Sequence, residues 1–131
     1  MNAGKLTMND EAITTAKNFL DLLTARDLPA AASYLHADAE LVFPGGNTFT
    51  TLIAFVEWAQ ERYLDIEKTI CGFDALSNAD STSTVYCYGT LNGHWTNGDE
   101  FQGIRFIDRF VISAGKIIRQ EVWNDLAESQ R

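Results

Sequence analysis

The chain has 131 residues, of which 46% are hydrophobic and 21% are charged, and its net charge is −8. These values are typical of one water-soluble globular domain, 1–131, and the acidic balance argues against nucleic acid because phosphate binding needs clustered Lys and Arg. No apolar run approaches the ~20 residues of a membrane span and no signal-peptide core begins the chain, so we expect a cytoplasmic protein that does not enter membranes.

The N-terminal region predicts two helices after a flexible tail over residues 1–8. Thr7 or Asn9 caps the first helix, and Asp27 caps a short second helix in which Pro29 is tolerated in the first turn. The first helix has one apolar stripe at helical spacing, formed by Ala12, Ile13, Ala16, Phe19, Leu20 and Leu23.

A short strand and a third helix follow. Residues 39–43 predict the strand, which ends at Pro44-Gly45-Gly46. Thr50 or Thr51 caps the third helix, which we expect to reach Tyr63. The inner side of this helix carries Leu52, Phe55, Val56 and Ala59.

The second half of the chain predicts a meander of four strands. Asn97-Gly98 indicates a two-residue hairpin turn, and Ser113-Ala114-Gly115 indicates a three-residue turn. Helices followed by a meander predict an α+β fold, and residues 126–131 are expected to be a flexible tail. The four strands cover residues 66–76, 82–96, 100–113 and 116–124.

A carboxylate interrupts the apolar face of the third long strand. Asp108 shares that face with Ile104, Phe106, Phe110 and Ile112, because side chains alternate along a strand. The two turns place Cys87 and Gln120 opposite Asp108 on the two neighbouring strands. In the same register, Val122 faces Phe106 and Asn124 faces Ile104. An apolar surface with a few converging polar groups is the composition of a small-molecule pocket.

The sequence gives little support for a metal or a nucleotide. The two cysteines, Cys71 and Cys87, fit buried or reduced thiols better than a disulfide framework. His36 and His94 lie far apart in the sequence, and no glycine pattern indicates a phosphate loop. We therefore predict no metal and no cofactor.

Two segments, DLPAAASYLHADAELVFP (27–44) and FIDRFVISAGKIIRQEVWND (106–125), resemble the nuclear transport factor 2-like superfamily. That superfamily includes SnoaL-like cyclases and ketosteroid isomerases. The resemblance covers nearly the whole chain and implies three N-terminal helices packed on a curved, mostly antiparallel sheet, which forms a cone-shaped half-barrel with an inner pocket. It identifies chemistry less well, because this fold hosts many functions.

The resemblance to ketosteroid isomerase keeps only part of that enzyme's site. Its oxyanion-hole aspartic acid falls on Asp108, whereas its general base falls on Phe43 and its catalytic tyrosine on Phe19. SnoaL-like cyclases are similar in size and layout and use a single pocket aspartate, often with a nearby histidine. One pocket acid is what this chain retains, so we favour that grouping.

We predict Asp108 as the catalytic residue, either moving a proton or donating a hydrogen bond. Because the arginines of its strand point to the other face, we expect desolvation to favour its neutral form. Hairpin parity places His94 on the face opposite Asp108, and we expect His36 to face solvent. The predicted substrate-binding residues are Gln120, Asn124, Phe19, Phe43, Trp58, Cys87, Phe106 and Val122.

Three functions remain open at this stage. The first is a cofactor-free isomerase, cyclase or dehydratase that acts on a small, mostly apolar carbonyl compound through Asp108. The second is a protein that binds an apolar ligand without turnover, which the phenylalanines at two isomerase positions favour. The third is a structural dimerisation module with a filled interior.

The other face of the sheet is too apolar for a solvated surface. Aromatic residues mixed with arginine are typical of interfaces, so we expect a homodimer through this outer face. The predicted register puts Arg109 opposite Arg119, with Glu121 diagonal to Arg109. The apolar residues assigned to the outer face are Tyr86, Tyr88, Ile107, Val111, Ile117 and Trp123.

Overall fold

The computed structural model describes residues 7–130 and contains three α-helices in the N-terminal half. Helix α1 spans Met8–Thr24 and begins with a capping box, in which Thr7 and Asp10 each bond the other's backbone N–H. Helix α2 spans Leu28–Ala32 with Asp27 as its N-cap, and α3 spans Leu52–Gln60 with Thr51 as its N-cap. Of the caps expected from the sequence, the structure uses Thr7, Asp27 and Thr51.

Six strands form one sheet in the order β2-β1-β6-β5-β4-β3. All neighbouring strands are antiparallel except β1 and β6, which are parallel. Three helices on a curled, mostly antiparallel sheet confirm the expected α+β cone. The strands are β1 (Leu35–Phe43), β2 (Asn47–Phe49), β3 (Tyr63–Ser77), β4 (Ser83–Trp95), β5 (Glu100–Ser113) and β6 (Lys116–Asn124).

Several elements differ from those expected, among them β1, which begins at Leu35 rather than at residue 39, and β3, which begins at Tyr63 rather than at residue 66. Helix α3 ends at Gln60 because Tyr63 already pairs with Trp95 as the first residue of β3, and their rings lie 5.4 Å apart. The three-residue strand β2, which pairs with the end of β1, is too short to show an alternation in the sequence. It also follows Pro44-Gly45-Gly46, a sequence that indicates the end of a strand.

The core lies between α1 and the inner face of the sheet. The α1 stripe is buried at Ala12, Ala16, Phe19, Leu20 and Leu23, as its spacing predicts. The ring of Phe19 packs edge-on against that of Phe110 in β5, with the centroids 6.1 Å apart. Both rings are fully buried, so α1 is fixed across the middle of the sheet.

The register between β4 and β5 is the expected one, although the turn differs. Cys87 pairs with Asp108, and Gly89 pairs with Phe106. The turn closes from Trp95 to Asp99 and therefore contains three residues, with Gly98 at a φ of 92°. A β-bulge near Gly103, whose φ is 65°, restores the pairing further along the hairpin.

The register predicted between β5 and β6 is wrong by two residues. Asp108 pairs with Val122, while Gln120 pairs with Phe110 and Asn124 with Phe106. Ala114-Gly115 forms a two-residue turn in which both residues have positive φ, at 49° and 77°. A bulge then adds one residue to β6, so Gln120 and Val122 still share the face of Asp108.

Because of this turn and bulge, two predictions for the outer face are wrong. Ile117 pairs with Ile112 and is fully buried, so it belongs to the inner side. Arg109 pairs with Glu121 rather than with Arg119, and the Arg109 Nη1 to Glu121 Oε1 distance is 3.0 Å. The like-charge pair expected from the sequence does not form.

The C-terminal segment folds back against the sheet. Leu126–Gln130 forms a 3-10 helix in which Leu126 is buried, and the backbone N–H of Asp125 donates to the carbonyl of Arg105 at 3.1 Å. Residues 1–6 of the expected N-terminal tail lie outside the described residues. Within residues 7–130, no helix has the length and apolar character needed to cross a membrane.

Candidate functional site

A pocket of about 390 Å³ opens between the end of α1, helix α3 and the inner face of the sheet. Its exposed lining residues, which include Arg26 and Gln60, mark the mouth. The inner part is lined mainly by apolar side chains and by two polar ones, Lys68 from β3 and Asn124 from β6. The buried apolar part of the lining includes Leu20, Leu23, Leu91, Val122 and Leu126.

An ion pair lies at the inner end of this pocket. The ammonium Nζ of Lys68 donates to Oδ2 of Asp108 at 2.7 Å. The Asp108 side chain is fully buried, whereas 26% of the Lys68 side chain is exposed. The ammonium also lies 4.5 Å from the centre of the Phe106 ring, within cation–π range. Lys68 therefore connects the buried carboxylate to the pocket.

The expectation that no cation faces Asp108 is wrong. The arginines of β5 do lie on the other face, but the cation that meets Asp108 is Lys68 of β3. The missing partner has a sequence signal, because Ile66, Lys68 and Ile70 alternate and so share one face of β3. A lysine inside such an apolar alternation indicates an inward-facing cation when another strand of the same sheet carries a buried acid.

The predicted site residues divide into two sets. Phe43, Trp58, Val122 and Asn124 line the pocket. The others are fully or almost fully buried and lie outside the lining: Asp108, Gln120, Cys87, Phe106 and Phe19. Among the described residues, Lys68 therefore links Asp108 to the pocket.

Two buried oxygens near the ion pair accept no hydrogen bond from the described residues. They are Oδ1 of Asp108 and Oε1 of Gln120. Next to them, burial raises the pKa of the Cys87 thiol to about 12; the negative charge of Asp108 raises it further and Lys68 opposes the shift. Cys87 is therefore a protonated, unreactive thiol near neutral pH, because the thiolate is the nucleophilic form.

An aromatic cluster forms the outer wall of the pocket. The rings of Phe43 and Phe55 stack with centroids 4.2 Å apart, and Trp58 lies 5.9 Å from Phe43. The ring of Phe49 from β2 packs against the rings of Phe43 and Trp58. At the rim, the guanidinium of Arg62 lies 4.7 Å from the centre of the Trp58 ring. The wall offers flat aromatic surface to a ligand.

Neither histidine contributes to the inner end of the pocket. His94 lies on the outer side of β4, as hairpin parity predicts, and its Nδ1 is 2.9 Å from Oδ2 of Asp65. His36 is exposed, and its Nδ1 accepts from the backbone N–H of Asp38. Among residues 7–130, no three His, Cys, Asp or Glu side chains are grouped so as to hold a metal ion.

The chain was compared with known families and structures. A comparison with proteins of curated function gives no significant match. The solved structures that resemble it show the same fold at low sequence identity. A nuclear transport factor 2-like protein of unknown function from Burkholderia pseudomallei is 19% identical, with a TM-score of 0.77 and coverage of 91% of this chain and 94% of that one.

Two further structures extend the comparison. A putative SnoaL-like polyketide cyclase from Jannaschia sp. is 14% identical, with a TM-score of 0.74 and coverage of 96% and 93%. TerC, co-crystallised with polyporic acid, is 18% identical, with a TM-score of 0.73 and coverage of 92% and 95%. The model of the SnoaL-like domain matches residues 16–120. That match covers most of the chain, which therefore belongs to the SnoaL-like domain family of the nuclear transport factor 2-like superfamily.

Proposed function

We propose that the pocket binds a small, mostly apolar carbonyl compound whose oxygen contacts Lys68. The ligand body would pack against the aromatic wall, and its carbonyl would accept a hydrogen bond from the ammonium at the inner end. A pocket of about 390 Å³ is within the range of small-molecule sites, roughly 300–1,000 Å³. Such a space supports ligand binding over a purely structural module with a filled interior.

The observation that carries this proposal is the Lys68–Asp108 ion pair. Removing a carboxylate and an ammonium from water costs several kcal/mol per ion, and well-packed apolar residues in their place are often at least as stable. A fully buried Asp108 is therefore poorly explained by stability alone. It is explained if its role is to hold a cationic donor at the end of an apolar pocket.

A relative's ligand is consistent with this proposal. TerC, which shares the fold, was co-crystallised with polyporic acid. The ligand of the present chain is proposed from its own pocket, whose aromatic wall and inner cation suit an apolar body with one polar end.

The second candidate is a cofactor-independent isomerase, cyclase or lyase. The direct contact between Lys68 and Asp108 favours it, because the pair can both hold and accept a proton. A proton from the carbon next to the carbonyl would move to Lys68 as an ammonium proton moves to Oδ2 of Asp108. The carbon's electron pair would become the enolate, whose oxygen the Lys68 ammonium and nearby donors would stabilise.

Both candidates can be tested with 2-tetralone, a bicyclic ketone with exchangeable protons next to its carbonyl. Quenching of tryptophan fluorescence measures binding, because Trp58 lines the pocket. Proton NMR in D2O measures how fast the ketone's α-protons exchange. We expect binding by the natural protein, and the enzyme candidate also requires exchange above the protein-free rate. The Asp108→Asn variant should then keep binding and lose that acceleration.

The variant Lys68→Met/Asp108→Leu replaces the whole ion pair and provides the control for binding. We expect it to bind 2-tetralone about tenfold more weakly, the loss of one hydrogen bond to a charged group. Lys17→Met, on the exposed surface of α1, removes the same charge away from the pocket and should leave affinity unchanged. Binding without accelerated proton exchange would support the binding protein and exclude the enzyme. Absence of binding would refute the proposal.

We also propose that the protein is a homodimer through the outer face of the sheet. Tyr88, Ile107 and Trp123 are exposed there, Trp123 to 51%. Arg109 and Glu121 already pair at 3.0 Å within one chain, so an approaching copy would not meet an uncompensated arginine cluster. Apolar side chains around a satisfied ion pair are suited to a partner surface.

The dimer predicts a specific response to Trp123→Arg. Placing a cation at the centre of the contact should shift the protein from dimer to monomer at micromolar concentration, as measured by sedimentation equilibrium. Ile53→Arg is a suitable control, because Ile53 is also exposed, to 62%, but lies on α3. A 14.6 kDa particle for the natural sequence would contradict the proposal.

A further inference from the structure

Asn124 lines the pocket and has a side-chain donor that no described residue uses. The backbone N–H of Leu126 donates to the Asn124 side-chain oxygen, Oδ1, at 3.1 Å. Because an N–H can only donate, the atom facing it must be the amide oxygen, which fixes the orientation of the amide group. The amide nitrogen Nδ2 donates to no residue within 7–130, while Asn124 itself lines the pocket.

Lys68 also presents only donors. An ammonium has three N–H groups and no acceptor lone pair. One of the three reaches Oδ2 of Asp108, and no other described residue accepts from Nζ. Two donors therefore remain for a group inside the pocket.

These two donor groups lie on either side of the same residue. Asn124 is the cross-strand partner of Phe106, and Nζ of Lys68 lies 4.5 Å from the centre of the Phe106 ring. The surrounding lining is apolar, including Leu91, Val122 and Leu126. In such surroundings a donor without an acceptor is costly, so the site favours a ligand that supplies one.

The remaining polar side chains of the lining belong to the mouth. Thr24, Arg26 and Gln60 are exposed, and the exposed carboxylate of Asp65 is held by His94 at 2.9 Å. The hydroxyl of Tyr63 accepts from Arg62, also at the rim. The two donors are thus the polar side chains that the described lining offers at its inner end.

We propose that Lys68 Nζ and Asn124 Nδ2 form an oxyanion-binding pair, so that the ligand carries an ionised oxygen on its apolar body, as in an enolate, phenolate or carboxylate. This inference rests on the proposed function and narrows its ligand class. Hydrogen bonds to an ionised acceptor are roughly twice as strong as those to a neutral one. A neutral hydroxyl suits this pair less well, because its own O–H group is also a donor.

The chain's overall charge of −8 does not oppose this pairing at short range. Charges on the surface are screened beyond a distance of about 8–10 Å at physiological salt. At the site itself, the Lys68 ammonium would touch the bound oxygen, while the Asp108 carboxylate that pairs with it lies outside the pocket lining. At the mouth, Arg26 is positive and Asp65 is negative, with the Asp65 carboxylate held by His94. The direct contact between the ammonium and the bound oxygen therefore has a larger effect on binding than the screened net charge of the chain.

The test compares 2-naphthoate with 2-naphthalenemethanol, which have the same ring system and differ in the oxygen group. Dissociation constants are measured by isothermal titration calorimetry at pH 7.5, where the naphthoate is ionised. We expect the carboxylate to bind at least about tenfold more tightly than the alcohol, a difference of about 1.4 kcal/mol. The neutral alcohol should bind weakly but measurably.

Asn124→Asp is the decisive variant. An aspartate retains an oxygen for the N–H of Leu126 while it replaces the donor with a negatively charged acceptor, so the preference for naphthoate should disappear. Asn92→Asp makes the same chemical change at an exposed residue outside the pocket lining, where the side-chain oxygen likewise accepts from a backbone N–H, that of Gly103, and it should preserve the preference.

Equal affinities of the two probes for the natural protein, or an unchanged preference in Asn124→Asp, would overturn the inference and leave the proposed function intact. If neither naphthyl probe nor 2-tetralone bound, the proposed function itself would fail and the inference with it.

Discussion

Replacing Lys68 with methionine is expected to lower the free energy of unfolding by about 3–5 kcal/mol. The change removes the cation that lies 2.7 Å from Asp108, and the fully buried carboxylate keeps no other partner among the described residues. Methionine fills a similar volume, so the loss comes from the uncompensated charge rather than from a cavity. Urea denaturation followed by circular dichroism measures it.

Truncating Asp108 instead of Lys68 should lower the free energy of unfolding much less. In Asp108→Leu the lysine keeps its charge, but its side chain is already 26% exposed and can reach water through the pocket. The double variant Lys68→Met/Asp108→Leu should recover most of the stability lost in Lys68→Met, because an apolar pair replaces the ion pair. If the losses of the single variants simply added in the double variant, the two residues would not be energetically coupled.

Gly89→Ala is expected to prevent stable folding or to cost more than about 3 kcal/mol. A Cβ at this position would lie 1.9 Å from the backbone carbonyl oxygen of Thr69 and 3.0 Å from the backbone nitrogen of Cys71. Neither atom can move without separating β3 from β4 at the bulge between Ile70 and Gly72. The close approach of the two backbones holds β3, and therefore Lys68, over the pocket.

Gly72→Ala provides a matched control in the same hairpin. Its Cβ would also meet an atom too closely, at 2.6 Å, but that atom is the hydroxyl oxygen of Tyr88. The far end of an exposed tyrosine can move aside, so we expect a loss of less than about 1 kcal/mol. Thermal unfolding of both variants compares them, and equal losses would mean that backbone approach at Gly89 is not the controlling contact.

The inner face of the sheet was predictable even though the register between β5 and β6 was not. Alternation along β5 and β6 assigns Asp108, Gln120 and Val122 to one side, and this holds because a buried face tolerates no shift of a single residue. The pairing itself depends on turn geometry. Ser113-Ala114-Gly115 suits a three-residue turn, but Ala114-Gly115 forms the turn and a bulge in β6 preserves the parity.

The ion pair was harder to predict because it joins β3 to β5, which are not neighbours in the sheet. Cross-strand rules describe adjacent strands, whereas Lys68 spans β4 with a long side chain to reach Asp108. The pocket shares this difficulty. Its walls combine α3, the end of α1 and inner-face residues of β1, β3, β4 and β6, and their spacing depends on bulges such as that beside Gly72.

The most direct test of the central claim is a crystal structure of the protein bound to 2-naphthoate. The account predicts the naphthyl rings against Phe43, Phe55 and Trp58, with a carboxylate oxygen within about 3 Å of Lys68 Nζ and the other oxygen near Asn124 Nδ2. A naphthoate with its carboxylate at the mouth and its rings against Lys68, or one bound outside this pocket, would contradict it.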